Sequence, residues 1–380
     1  KVDYLTTYNQ WSEDWLRTQY GGPNIVAHIP PGPNPEYKPM DKNIAKSILR
    51  VPKDKKVLLT VMRNQFRKKY PELFEALSKT ADKSIILYCH THFQDRGWDL
   101  PKLALQYDVA DRVYYTYKCK SCPKIKADIF KTNVKCGCGA EMEVCSVQDG
   151  LDNNQLNYVY NSADLYVQWH LSEGFGIPTI EAAATGLPVI TVNYSAQEDV
   201  AKKIKSFPID PLVLQREIST LCNRAVPDNE TLTKLLDDPN TWEYNRDEVV
   251  AIANENYSWE NTGTKWVSLI NSIVPKNNWA KQPVLKTPPQ FNDLKDLPVF
   301  DFVRACILHV AQDPDLLGSF INVEALEHLE SGYFVPEDKV TGQKSNAQRS
   351  VTKEMVYYKF YNMLEERVKW EREKSKAFNL

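Results

Sequence analysis

The sequence predicts an α/β protein with a doubly wound parallel sheet. Two observations carry that reading. Between residues 55 and 192 short apolar runs alternate with helix-like segments, and the clearest junction, 164–186, reads as strand, glycine-rich loop and short helix. Short apolar strands alternating with helices belong in a parallel sheet covered on both faces, and right-handed crossovers make such a sheet Rossmann-like. The 380 residues leave room for two or three domains.

Residues 1–40 read as the end of a preceding domain followed by a linker. The stretch 22–39 (GPNIVAHIPPGPNPEYKP) holds six prolines and two glycines, a poor setting for a helix. The sheet-bearing domain then spans 41–274. KKVLLTVM (55–62) is its first strand and PELFEALSKT (71–80) a helix with Pro71 in the first turn. SIILYCH (84–90) is the second strand, followed by a helix around 100–108 and the strand RVYYTY (112–117). A cysteine-rich segment, 116–146, interrupts the alternation, which resumes with helix 153–163, strand 164–169, helix 178–185 and strand 187–192. From 197 to 274 the pattern reads as mostly helical. Residues 275–380 read as a helical extension. Within it VTKEMVYYKFYNMLEERVKWEREK places Met355, Val356, Phe360, Met363, Leu364 and Val368 at helical spacing, a stripe that docks on its own protein or on a partner.

Composition narrows the function classes. Apolar residues make up 42% and charged residues 25%, an ordinary globular balance, and the net charge of −2 argues against a general attraction to nucleic acid or anionic membrane. No apolar run approaches the ~18 residues of a membrane span. No signal peptide opens the sequence, so the expected setting is reducing and cytoplasmic.

The segment LSEGFGIPTIEAAATGLPVI (171–190) carries the chemistry. Pro178 suits the first position of a helix and Gly186 the residue just past its end. A short helix therefore starts at the carboxyl end of a strand, the edge where doubly wound sheets bind ligands. Its amino terminus offers unpaired N–H groups and partial positive charge to an anion, and Gly174 and Gly176 let backbone approach closely. The arrangement suits phosphate. Glu173 on the loop and Glu181 in the helix's first turn would repel a phosphate that they touched, and are better placed against sugar hydroxyls. The plainer alternative is a buried connection in which Glu181 is a favourable early-helix acid.

E-G-F-G-x-P, a glutamate eight residues after the first, then G-x-P-V-I resembles the signature of retaining glycosyltransferases of family 4, which have the GT-B fold. The likeness extends to VAHIPPGPNPEYKP, to VLLTVMRNQFRKK with Arg63 and Lys68, to NYVYNSADLYV, to NYSAQEDV with Glu198, and to NENYSWENTGTKWVSLI. It covers residues 22–274 apart from the cysteine insert. It implies a nucleoside diphosphate sugar as donor, no catalytic metal, and transfer of the sugar to an acceptor hydroxyl with retention. Carried over, Arg63 and Lys68 bind the diphosphate and stabilise charge on the leaving group. Glu173 faces the donor sugar, the amides of Gly174, Phe175 and Gly176 contact sugar or phosphate, and Glu181 accepts from the ribose hydroxyls. Pro178 and Thr179 at the helix start complete the donor-binding set. His170 either touches the donor or makes a structural hydrogen bond.

Two departures stand out. CHTHFQDRG (89–97) puts His90 and His92 where the family has a glycine-rich turn. Residues 1–21 supply only the last strand and helix of an acceptor-binding domain, so that half is expected in another segment or chain. The acceptor is open: glycan, protein or nucleic acid. The rival reading is a non-catalytic module with a binding or structural role in a larger assembly.

The insert reads C-x2-C, thirteen residues, C-x-C, with Cys119, Cys122, Cys136 and Cys138 as the four thiolates of a structural zinc site. Cys145 is a possible substitute, and Gly137 and Gly139 are placed to turn N–H groups toward sulfur. The alternative is a set of free, partly buried thiols. Lys118, Lys120, Lys124, Lys126, Lys131 and Lys135 make this ribbon basic, either as a contact for a phosphate-rich acceptor or as a solvated surface on a stabilising clip.

Overall fold

The computed structural model describes residues 4–20, 25–218 and 220–273, together with a two-stranded pair at 333–334 and 349–350. The chain divides into two compact units, Lys1–Ile273 and Val274–Leu380. The amphipathic stripe expected at 355–368 lies outside the described residues.

The first unit opens with β1 (Leu5–Thr7), α1 (Gln10–Tyr20) and β2 (Ile25–His28), the two strands pairing in parallel as a small sheet of their own. Then follow α2 (Lys42–Leu49), β3 (Lys56–Thr60), α3 (Tyr70–Lys79), β4 (Ile85–Cys89), α4 (Leu100–Gln106) and β5 (Val113–Cys119). The cysteine insert forms β6 (Ile125–Ile129), β7 (Val134–Lys135) and β8 (Glu141–Val144). The alternation resumes with α5 (Asn153–Asn161), β9 (Leu165–Gln168), α6 (Ile177–Ala184), β10 (Val189–Val192), α7 (Ala196–Ala201) and β11 (Ser206–Ile209). A hairpin, β12 (Val213–Arg216) and β13 (Asn223–Val226), leads to α8 (Asn229–Asp237), α9 (Arg246–Asn256) and α10 (Trp259–Ser272).

Six strands run parallel in the order β5-β4-β3-β9-β10-β11. The chain winds outward from β3 in one direction and from β9 in the other. The strand order therefore reverses between β3 and β9, which pair Leu58 with Leu165 and Leu59 with Tyr166. Ligands of doubly wound sheets sit at the carboxyl edge of such a switch point.

Both faces of the sheet are buried. Leu58, Ile85, Leu87 and Cys89 pack into one apolar cluster with α3, α4 and α8, while Val57, Leu59, Ile86 and Tyr88 pack into a second with α2, α5 and α6. That alternation is the strand's two-residue period read out on two covered faces. The helix ends obey local rules. Asp41 caps α2, accepting from the N–H groups of Asn43 and Ile44 at 2.8 and 3.0 Å, and Asp152 with Gln155 forms a reciprocal box at the start of α5. Past the end of α6, Gly186 takes φ +87°, and a Cβ there would lie 2.3 Å from the Arg246 side chain. Arg246 uses that space to donate to the carbonyls of Thr185 at 2.9 Å and Met40 at 2.6 Å, tying α6, the linker and α9 together.

The expectation of a mostly helical stretch at 197–274 holds for α7 to α10 but misses three short strands, β11, β12 and β13. β11 is a four-residue edge strand containing Pro208, tolerated because an edge can spare a ladder donor. Every residue of β12 is exposed, so no apolar period marks it.

Candidate functional site

The loop after β3 and the loop after β9 lie edge to edge at the switch point. Lys68 and His170 form an antiparallel bridge, Leu171 N–H donates to the Arg67 carbonyl at 2.9 Å, and Lys69 N–H donates to the Trp169 carbonyl at 3.2 Å. This backbone pairing sets the Lys68 ammonium on the Glu173 carboxylate across 105 positions of sequence. Gln168 Nε2 donates to the same carboxylate oxygen at 2.8 Å and Arg67 reaches the other at 3.2 Å. The side chains of Lys68 and Glu173 are each only 6% exposed. Burial, with the Arg67 charge added, pulls the Lys68 ammonium down to about 7. The carboxylate in contact with it acts the other way, so each charge depends on its partner.

The glycine loop is clamped from several sides. Glu173 N–H donates to Ser195 Oγ at 2.9 Å, Asn9 Nδ2 donates to the Gly174 carbonyl at 3.0 Å, and Ala225 N–H donates to the Leu171 carbonyl at 2.9 Å. The Arg224 guanidinium meets Ser172 Oγ. Fully buried Gln197 donates to the Phe175 carbonyl at 2.5 Å and accepts from the hydroxyls of Thr179 and Thr191 at 3.2 and 3.1 Å. Ser195 holds φ 58° and ψ −142°, a costly conformation for a residue with a Cβ. Gly176 stands at φ +86°, and a Cβ on it would lie 2.3 Å from Gln197 Nε2. The amides of Gly174, Phe175 and Gly176 donate to no group among the described residues. They sit at the amino terminus of α6, and the space around Gly174 is open. Free amides at a helix start, bent through one left-handed residue, form an anion-binding concavity.

The other expected residues divide. Arg63 does not join Glu173; its guanidinium grips Asp95 at 2.7 Å. Glu181 is the fifth residue of α6 rather than part of its first turn, and accepts from Tyr160 Oη at 2.7 Å; burial raises its pKa. Pro178 is the second helical residue, behind Ile177, and Thr179 is buried on Gln197. Phe175 is buried too, its ring 6.2 Å from that of Tyr8 and 5.9 Å from that of Tyr257. His170 is fully buried, with both ring nitrogens unpartnered among the described residues, so the structural hydrogen bond expected as its alternative role is not seen there. Burial and the Lys68 and Arg67 charges keep its imidazole neutral. Glu198 pairs with Lys202 at 3.0 Å in the first turns of α7. His90 bonds Thr116 Oγ1 at 2.8 Å through Nδ1. Sequence reasoning missed Gln168, Ser195, Gln197 and Asn9 as partners of the loop; of these, only Ser195 and Gln197 lay in a motif that drew notice, NYSAQEDV.

In the cysteine insert, the sulfurs of Cys119, Cys122, Cys136 and Cys138 all lie within 4.8 Å of one another. Cys119 and Cys138 are 3.5 Å apart, and Cys122 and Cys136 3.7 Å. A tetrahedral zinc site with ~2.3 Å bonds has sulfur–sulfur edges of about 3.8 Å, so the four thiols fit such an ion. Cys145 stays outside the group, and burial pushes its thiol up to about 12. Gly139 does not aim its N–H at sulfur; at φ +88° it donates to the Cys136 carbonyl at 2.9 Å and makes the turn. Ser121 N–H approaches Cys119 Sγ at 3.5 Å. The ribbon is less basic than its lysines suggested. Lys118 pairs with Asp149, Lys120 with Glu143, Lys126 and Lys131 with Asp128, and Lys135 with Glu141.

No helix among the described residues is long and apolar enough to cross a membrane. No curated protein matches the chain. Solved structures do. A sucrose-phosphate synthase from Thermosynechococcus elongatus aligns with TM-score 0.52 and 19% identity, over 71% of this chain and 58% of that one. A glycosyltransferase from Rickettsia africae gives 0.51 and 16%, over 70% and 62%. Anabaena Alr3699/HepE in complex with UDP-glucose gives 0.51 and 13%, over 71% and 64%. The chain thus spans less than two thirds of the length of these structures. Residues 142–235 match the family model of glycosyl transferases group 1, and the surrounding α/β architecture is the GT-B-type fold shared with these solved glycosyltransferases.

Proposed function

We propose that the chain is the donor-binding half of a retaining glycosyltransferase that moves a sugar from a nucleoside diphosphate sugar to an acceptor hydroxyl. The observation that carries this reading is the meeting, at the switch point, of Lys68 and Glu173 beside three unpaired amides at the start of α6. A diphosphate suits those amides and the helix dipole. In binding it competes with Glu173 for the cations Lys68 and Arg67, and the released carboxylate is then free to accept from hydroxyls of the donor sugar. Glu181, with one oxygen on Tyr160, has the other for ribose hydroxyls. Arg63 serves the diphosphate only after leaving Asp95.

In the transfer step the bond from the sugar's anomeric carbon to the diphosphate oxygen breaks. A bond to the acceptor oxygen forms on the same face, and the acceptor's proton passes to the departing phosphate. Negative charge grows on the leaving group, and fixed amides with Lys68 stabilise it without reorganisation. No metal is assigned to this step. Zinc belongs in the ribbon, held by Cys119, Cys122, Cys136 and Cys138. Four thiolates close its coordination shell, so it supplies folding energy rather than chemistry. Such a site requires reduced thiols, which goes with a cytoplasmic setting. The chain spans 58–64% of the solved structures it resembles, and we take the acceptor-binding half to lie in another segment or chain.

A thermal-shift screen with UDP-, GDP- and ADP-sugars tests the reading. One donor should stabilise the fold, and slow donor hydrolysis should be lost in Glu173→Gln. If no donor shifts the transition, the rival reading of a non-catalytic module takes over.

A further inference from the structure

A cavity of about 400 Å³ opens between the ribbon and helices α2 and α5, on residues that the proposed donor site does not use. Its lining includes Arg50, Lys124, Lys126 and Lys135, and no aspartate or glutamate. Lys126 and Lys135 have carboxylate partners that stand outside the lining, Asp128 at 2.9 Å and Glu141 at 3.4 Å. Arg50 and Lys124 form no ion pair among the described residues. A zinc tetrathiolate beside the cavity carries a formal charge of −2. Asp128 and Glu141 offset Lys126 and Lys135, so Arg50 and Lys124 are the two unpaired lining cations; they balance the tetrathiolate's charge and are the donors a ligand would meet. The rest of the lining is not simply polar: Ile48 and Tyr158 supply apolar and aromatic surface.

The fold builds this groove deliberately in two places. Arg50 ends α2 in the left-handed region at φ 58°, donating its N–H to the carbonyls of Lys46 and Ser47, so its side chain departs from a fixed turn. On the ribbon, Lys124 Nζ lies 3.9 Å from where a Cβ on Gly137, another lining residue, would stand, whereas Lys126 turns to Asp128 over the Tyr117 ring.

We infer that this groove is a second ligand site, and that it takes a phosphate monoester carried on a sugar or a nucleoside. Arg50 offers a planar fork to two phosphate oxygens and Lys124 a point charge to the third. An unpaired guanidinium and ammonium together suit a dianion better than a single carboxylate. The ring of Tyr158 and the side chain of Ile48 cover the flat or apolar body. The volume lies at the lower end of the range for small-molecule sites, which favours a small ester over a stretch of polymer. This inference stands on its own observations and survives whether or not the chain transfers sugars.

The test is calorimetric titration of the full, zinc-loaded chain with glucose 6-phosphate and with adenosine 5′-monophosphate, alongside glucose and adenosine. At least one phosphate ester should bind, its unphosphorylated counterpart should bind at least about ten-fold more weakly, and added salt should weaken the ester. The double variant Arg50→Asn, Lys124→Gln should lose about ten-fold or more in affinity for the ester while its response to uridine diphosphate stays as in the wild type. Asparagine tolerates the left-handed position of Arg50, and zinc content and melting temperature report whether the variant is intact. Should that variant fail to fold, Lys124→Gln alone carries the comparison, since its side chain is exposed. Equal affinity of wild type and variant overturns the inference, as does the absence of binding by both esters at millimolar concentration. If glucose 6-phosphate alone binds, the site is for sugar phosphates; if the nucleotide alone binds, for nucleoside phosphates.

Discussion

Lys68 and Glu173 are nearly removed from solvent, and that decides how their variants behave. Replacing Glu173 with alanine strands a buried ammonium, which costs about 3–5 kcal/mol in comparable buried pairs. Glu173→Ala should therefore lower the urea midpoint strongly, Glu173→Gln much less, and the pair Glu173→Gln with Lys68→Met should recover stability. Equal stability of the alanine variant and the wild type would show that the pair is not formed in solution. A second residue, Gly176, is fixed for two separate reasons: its φ of +86° and the 2.3 Å approach of Gln197 to a Cβ. Gly176→Ala should abolish a donor's thermal shift while leaving the melting temperature of the free protein within several degrees, because the loop rather than the core absorbs the strain. A donor shift that persists unchanged in this variant removes the loop from the binding site. Glu173 and Lys68 drew notice because motif spacing marks them, and the structure brings them together as an ion pair. Gln197 and Ser195 were not legible in this way, since their partners exist only once β10 and α7 fold back on the loop. His170 drew notice by position as a donor contact or a structural residue, and its full burial was not readable from the loop around it.

At the scale of elements, the ribbon and the α3–β4 turn are the parts whose stability depends on charge. Cys119 ends the seven-residue β5 and the other three cysteines lie in turns beside strands of two to five residues, too short to bury much apolar surface. Metal ligation should then supply most of the ribbon's stability. Chelation should open residues 116–146 to protease while the far-ultraviolet dichroism of the parallel sheet persists, and Cys138→Ser should lower the zinc content of the purified chain. A ribbon equally resistant with and without chelator would refute the metal site. At the α3–β4 turn, hydrogen bonds from Ser84 and then the Lys56 ammonium hold Asp82 down at about 2. Its folded pKa lies below the unfolded value of ~3.9. The stabilisation is thus complete above pH ~4 and lost as pH falls through about 2. Asp82→Asn should flatten the acid limb of the stability profile in that window and leave the limb above it parallel to the wild type. The spacing of Cys119, Cys122, Cys136 and Cys138 made the cluster readable from sequence. Lys126 and Lys131 meet Asp128 within a few residues of sequence, whereas the pairs Lys118–Asp149 and Lys135–Glu141 were not readable, because only the folded ribbon brings them together.

At the scale of the whole molecule, the doubly wound sheet was readable because each of its inner strands carries a short apolar run, unbroken in IILYC of β4. The hairpin after β11 was hidden because β12 is exposed throughout and β13 buries only Ala225, while its contacts with the glycine loop run through Ala225 and Arg224. These contacts, with those of Asn9 and α1, all fall within Lys1–Ile273, as do both apolar clusters of the sheet. Among the described residues, the groups that shape the proposed donor site thus lie before residue 274. A chain ending at Ile273 should fold cooperatively, keep the melting temperature of the unit, and respond to the same donor as the full chain. At about a hundred times its dissociation constant that donor should add ~2.7 kcal/mol to either form. If the shortened chain folds yet shows no donor shift where the full chain does, residues beyond 273 contribute to the donor site and the boundary of the site, though not its place at the switch point, has to move.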